Sequence, residues 1–222
     1  MLKIWGRPNS IHTQRVLWTC AEAEVPYELI LASATMGPDG HISGGGKPYG
    51  IVDTPSYRAM NPNGTVPTID ADGYVLWESN VISRYLAQKY APEALFGGSL
   101  ERLGHANQWM EWTGTRLEPA LHVLVMELVR LVPEKRDPAN VERVRRETLP
   151  RLEILDRHLA GQPYVAGDTF TLGDIPPGAA AYRWTLFDLD GPPLPHLKAW
   201  QARLAERPGF QKHVAPREYH LA

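Results

Sequence analysis

Strand-like segments are confined to the first third of this chain, and that confinement constrains its fold more than any other feature. Leu2 to Trp5 is a short apolar strand candidate, and Tyr27 to Leu31 alternates as a second. Val66 to Asp70 and Tyr74 to Trp77 flank Ala71-Asp72-Gly73, a hairpin signal. Between these strands, residues 12 to 24 carry Val16, Leu17, Cys20 and Ala21 on one helical face. Residues 79 to 90 repeat Val81, Ile82, Tyr85 and Leu86 at helical spacing. No convincing strand follows. Leu100 to Leu131, Ala139 to Leu159, Leu172 to Leu186 and Leu194 to Glu206 all repeat at helical spacing. The order strand, helix, strand, loop, hairpin, helix predicts an α/β unit with a mixed sheet, and the remainder predicts an all-α unit. Ala91 to Gly98, with Pro92 and Gly97-Gly98, is the best linker, so domains are expected over residues 1–91 and 98–222.

The 222 residues leave room for two small domains or one large one, and a hydrophobic content of 43% is enough for a packed core. A formal net charge of −2 gives no basic excess for nucleic acid. No run approaches the roughly 18 apolar residues of a membrane span. The first residues carry charges and lack the apolar core of a secretory leader. The one cysteine, Cys20, leaves no intramolecular disulfide and fits a reducing compartment. A cytoplasmic protein without nucleic-acid or membrane partners is expected. The histidines show no metal spacing and there is no cysteine cluster, so no metal site is expected. Gly44-Gly45-Gly46 is not followed by Lys-Ser or Lys-Thr at a helix start, so it is no phosphate loop.

The segment Asn61-Pro62-Asn63-Gly64-Thr65-Val66-Pro67-Thr68-Ile69 runs from a turn straight into a strand. Pro67 removes a backbone donor where pairing should begin, and a cis Val66-Pro67 bond is expected there. That turn leaves the backbone N–H and C=O of Val66 open at a sheet edge, where an extended peptide docks as an added strand. The hairpin then ends in Glu78-Ser79 at a helix start, where an anion is welcome. Together these features describe a receptor for a small peptide with a free carboxylate.

Ser10, just before the first helix, reads either as an N-cap or as a hydroxyl that donates to a substrate thiolate. A free thiol has a pKa of about 8.5 and the thiolate is the nucleophile. A donated bond plus the positive end of a helix favours that anion. His12 and Thr13 stand within one turn and are open alternatives. Residues 32 to 55 hold six glycines and no periodicity, and this segment, with Lys47 in it, is expected to form a mobile rim over the site. Trp112 and Arg116 fall on one helical face at i, i+4, where aromatics are usually core and a buried arginine needs a reason. Thr171 and Asp174 form a capping box, with Phe170 and Ile175 placed as its hydrophobic staple.

Asn61-Pro62-x-Gly64-x-Val66-Pro67 followed by Glu78-Ser79 resembles the thioredoxin-like half of the glutathione S-transferases. The opening Ile4-Trp5-Gly6-Arg7-Pro8-Asn9-Ser10, leading into Gln14-Arg15-Val16-Leu17-Trp18, is similar to the first strand and helix of the bacterial, theta-like serine-type branch. Thr171-Leu172-Gly173-Asp174-Ile175 resembles the helix-capping segment of that family's all-helical half. The resemblance spans nearly the whole chain. It implies an N-terminal thioredoxin-like domain, a C-terminal helical bundle domain and a homodimer. It implies a detoxification transferase that conjugates or reduces apolar electrophiles with the thiolate of glutathione, a co-substrate, with no further cofactor.

By the same resemblance Ser10 contacts the thiolate and Val66, beside Pro67, pairs with the cysteinyl unit. Ser79 holds the γ-glutamyl carboxylate, Glu78 helps orient the amine, and Lys47 reaches the glycyl carboxylate. Trp112 and Arg116 would line a cleft for a small hydrophobic electrophile. The bacterial branch often carries Asn where this chain has His12. The region holds no tyrosine, and position 10 is not cysteine, which speaks against the tyrosine-type and cysteine-type classes. The alternatives are a non-catalytic binding or scaffold protein of this fold, and a glutathione-dependent isomerase, dehalogenase or reductase. The serine-rich opening of the maleylacetoacetate isomerase branch is missing.

Overall fold

The computed structural model describes residues 1–33, 51–96 and 98–219. Strand β1 (Leu2–Gly6) alternates side chains between a buried face and the opposite one, as the period of a strand requires. It lies parallel to β2 (Tyr27–Leu31) and antiparallel to β3 (Thr68–Ala71), with Ile4 opposite both Leu29 and Ile69. Asp72 and Gly73, at φ 56° and 93°, turn β3 back into β4 (Tyr74–Trp77). Both residues are left-handed, the hand that a two-residue hairpin loop needs. The described sheet is mixed, in the order β2-β1-β3-β4. Helices α1 (Ile11–Glu22) and α3 (Ser79–Tyr90) supply Val16, Leu17, Cys20, Ile82 and Leu86 to a core shared with Ile4 and Ile69.

A short helix, α2 (Pro55–Met60), starts at the end of the segment read as a loop. Thr54 caps it, accepting from the Tyr57 amide at 3.3 Å, and Pro55 occupies the first turn, where its missing N–H costs nothing. The buried Tyr57 hydroxyl donates to the Thr65 carbonyl at 2.7 Å. Asn61 Nδ2 donates to the same carbonyl and to Thr68 Oγ1, each at 3.0 Å. Gly64 sits at φ 61°. These contacts pin the turn that leads into β3, and the Val66-Pro67 bond is cis, as expected.

The segment read as a linker is ordered differently from that expectation. Pro92–Phe96 forms a short helix, α4, whose Leu95 and Phe96 are buried. Beyond it, α5 (Leu100–Trp112) passes through a π turn at Thr113–Leu117 into α6 (Glu118–Val125), then into a second π turn at Met126–Arg130. Pro119, in the first turn of α6, has no N–H for the helical ladder, and the Glu118 amide instead bonds back to the Thr113 carbonyl. Helices α7 (Pro138–Leu159), α8 (Ile175–Thr185), α9 (Pro195–Ala205) and α10 (Pro208–His213) complete the bundle.

The expected capping box is present: Thr171 Oγ1 accepts from the Gly173 amide at 3.2 Å and Asp174 Oδ2 from the Thr171 amide at 2.9 Å. Asp174 is fully buried and its Oδ1 also accepts from the Val165 amide and Trp200 Nε1, both at 2.9 Å. Trp18 of α1 belongs to the core of the helical half, with its ring edge-on to Phe210 at 5.2 Å. Two glycines of that half make the fit: a Cβ at Gly209 would fall 2.6 Å from the indole and one at Gly178 would fall 3.2 Å from it. No helix among the described residues is long and apolar enough to cross a membrane.

Candidate active site

The opening turn of α1 sorts Ser10, His12 and Thr13 into different surroundings. Ser10 caps the helix, its Oγ accepting from the Thr13 amide at 3.4 Å. A hydroxyl that accepts still has its own proton to donate, so capping and donation to a thiolate are compatible. Thr13 is fully buried beneath Gly6, where a Cβ would fall 2.6 Å from its side chain. Ser10 and His12 face the cleft instead.

Two cavities meet at His12. The first, of about 210 Å³, is lined by His12, Thr65, Val66, Pro67, Glu78 and Ser79. The expected Val66, Pro67, Glu78 and Ser79 are therefore gathered around one space. The second, of about 190 Å³, lies between the N-terminal turn and the helical half, with Ser10, His12, Glu118, Leu121 and Arg130 in its wall. Ser10 thus borders the second cavity, and His12 is common to both.

Glu78 takes φ 72° and ψ 109°, a left-handed conformation that costs energy in a residue with a Cβ and is typical of functional sites. It turns the chain abruptly so that Ser79 begins α3 with open amides toward the first cavity. Behind Ser79 stands Arg15, 2% exposed. Its Nη1 donates to Ser79 Oγ at 3.2 Å and to Asn80 Oδ1 at 2.8 Å, and its Nη2 is ion-paired with Glu118 of α6. Asn80 Nδ2 donates onward to the Met110 carbonyl at 3.2 Å. Ser79 Oγ, already accepting from a cation, is poised to donate its proton to an anion in the cavity.

His12 is open to the cleft yet enclosed by protein on its other sides, and that surrounding together with nearby Arg15 pulls its pKa down to about 4. The ring is neutral at pH 7 and acts there as a hydrogen-bonding group, not a cation. Cys20 is buried in the sheet core, which pushes its thiol up to about 12, so a reactive thiol at this site must come from a ligand. Among the described residues no group of three His, Cys, Asp or Glu side chains is placed to hold a metal ion.

The remaining expected site residues lie elsewhere. Trp112 packs against the helical core, edge-on to Trp109 at 5.1 Å. Arg116 is exposed and borders a separate groove with Arg143 and Glu147, contrary to the expectation of a buried arginine in the cleft. The π turn between them changes the angular step per residue and breaks the i, i+4 face on which that expectation rested. Lys47 and most of the glycine-rich segment lie outside the described residues. Sequence reasoning missed Arg15, Glu118 and the cleft arginines Arg7, Arg130 and Arg183.

A mixed sheet whose cis-proline edge and helix start bound one cavity, with a helical half closing a second, defines a thioredoxin-like fold with an appended bundle. The family model of the glutathione S-transferase N-terminal domain matches residues 9–89, and that of the glutathione S-transferase C-terminal domain matches residues 119–208. The chain is 38% identical over 218 residues to glutathione S-transferase GstB of Escherichia coli, covering 96% of this chain and 98% of that one. It is 30% identical over 231 residues to glutathione S-transferase 3 of Zea mays, covering 96% and 93%. It superposes with a TM-score of 0.87 and 39% identity on the theta class glutathione S-transferase of the citrus canker pathogen Xanthomonas axonopodis pv. citri with glutathione bound, covering 97% of each chain. The chain belongs to the glutathione S-transferase family, transferases that take glutathione as co-substrate.

Proposed function

We propose that glutathione lies along the first cavity and that its sulfur rests at His12, where the two cavities join. Val66 offers its backbone to the cysteinyl unit, with Pro67 holding the turn. Ser79, backed by Arg15, binds the γ-glutamyl carboxylate, and exposed Glu78 meets the amine. Ser10 donates to the thiolate through the hydroxyl proton left over from capping, and neutral His12 supports the same sulfur. The α1 N-terminus adds its dipole. The second cavity takes the electrophile, whose apolar body packs on Ile11, Leu121, Val125 and Met126. The thiolate attacks it at short range, so catalysis rests on a lowered thiol pKa and on proximity.

The observation that carries this reading is His12 standing in the wall of both cavities. We read residues 1–91 and 98–222 as the two domains. We also read the chain as a cytoplasmic homodimer in detoxification. The single buried thiol is in keeping with a reducing compartment, and light scattering tests the dimer. Calorimetry with glutathione, followed by ultraviolet titration of the bound thiol, tests the site. Binding with a thiol pKa below that of free glutathione is the expected result, and an unshifted thiol would mark a binder without catalysis.

A further inference from the structure

The second cavity has an apolar floor and a cationic end. Arg7 follows β1, Arg130 closes the second π turn and Arg183 comes from α8, and all three reach its wall. Arg7 Nη1 donates to Asn9 Oδ1 at 3.2 Å and Arg183 Nη2 to the Asn9 carbonyl at 3.3 Å, so Asn9 braces two guanidiniums side by side. Arg183 is buried, and that burial, opposed by Glu118 and helped by neighbouring Arg130, Arg7 and Arg15, lowers its pKa to about 10. It still carries its charge at neutral pH. Among the described residues lining the cavity the one carboxylate is Glu118, and Glu118 is held by Arg15.

Arg130 supplies the sharper observation. Its Nη1 is buried with no hydrogen-bond partner among the described residues. An unsatisfied buried donor on a cation is costly, and a ligand oxygen is the group that would satisfy it. A guanidinium fork matches a planar carboxylate better than any neutral group.

We propose that this cavity binds its electrophile by a carboxylate held at Arg130, so that the enzyme acts on small organic electrophiles that carry a negative charge. The inference rests on the reading that this cavity takes the electrophile. The arginines also answer a physical problem of that chemistry. A thiolate and a carboxylate-bearing electrophile repel one another, and cations beyond the reacting carbon offset the repulsion. With an aryl chloride, the thiolate sulfur attacks the ring carbon bearing chlorine. The S–C bond forms, the C–Cl bond breaks, and chloride leaves with the electron pair. The thiol proton has already gone to solvent.

The test compares 4-chloro-3,5-dinitrobenzoate with its near-isosteric amide, 4-chloro-3,5-dinitrobenzamide, on the full-length protein. Each kcat/KM is divided by the rate constant of glutathione thiolate alone with that halide. A preference of about tenfold or more for the carboxylate is expected in the wild type. Arg130→Gln should cut the preference about tenfold, and Arg130→Lys should restore part of it. Equal enhancement of acid and amide by the wild type overturns the proposal while leaving the transferase site intact, and this arm needs no variant to fold. So does an equal loss with both halides in Arg130→Gln. A tenfold weaker glutathione Kd in that variant with an unchanged preference would assign Arg130 to glutathione instead. Turnover of neither halide, with glutathione bound, would remove the electrophile reading and this inference together.

Discussion

Arg15 and Glu118 stand 103 residues apart and form an ion pair across the junction of the two halves of the molecule. The same guanidinium reaches Ser79, so the wall of the first cavity is braced from a helix that lines the second. Removing one partner from such a buried pair leaves the other charge uncompensated, at a cost of about 3–5 kcal/mol. Arg15→Ala and Glu118→Ala should each lower stability on that scale in urea unfolding. The double variant should lose less than the two single losses combined, because the pair is one interaction. Additive losses would show that the two residues act independently.

Ser79→Ala removes the hydroxyl that Arg15 orients. A hydrogen bond to a charged acceptor is worth about 1.5–3 kcal/mol, so glutathione affinity should fall about tenfold to a hundredfold by calorimetry. An unchanged Kd would take the γ-glutamyl carboxylate away from Ser79.

Ser10→Ala should raise the pKa of bound glutathione by about one to two units, read by ultraviolet titration of the thiolate. His12→Asn keeps a neutral hydrogen-bonding group and should shift it little. With His12 titrating near 4, the kcat/KM profile between pH 5.5 and 8 should show the thiol limb and no separate histidine limb. A larger shift from His12→Asn would move the principal thiol contact to His12.

Asp174 titrates near 6 in the fold against an ordinary value of 3.8, raised by burial against the pull of its hydrogen bonds. Between these values the native state holds a proton that the unfolded chain has released. Stability from this group is therefore full below about pH 4 and is lost as pH rises through about 6, by about 3 kcal/mol. Urea unfolding of wild type and Asp174→Asn across that window should give a difference that shifts against the wild type as pH rises. A flat difference would show that Asp174 titrates normally.

Local chemistry was legible in the sequence and long-range pairing was not. The cis Val66-Pro67 turn is written within a few residues, since Asn61, Gly64 and Pro67 each act on their own neighbours. The Thr171 capping box is local in the same way. Helix α2 was signalled by Thr54-Pro55, a cap followed by a first-turn proline, within a segment dominated by glycine. Arg15 gave no signal, because its meaning depends on Glu118 and Ser79, brought to it only by the fold. Arg116 misled because Pro119, three residues further on, interrupts the helical ladder and turns it off the cleft.

Trp18 grows from the sheet half, yet Gly178, Gly209 and Phe210 of the helical half are what enclose it. An excised sheet half would present that indole to water. The two halves are therefore one cooperative unit, and tryptophan emission and far-ultraviolet dichroism should report a single shared melting transition. The interface beside the cleft is thus also the molecule's nearest equivalent of a keystone: exchanging one half, or expressing it alone, would call for a new socket for this one side chain.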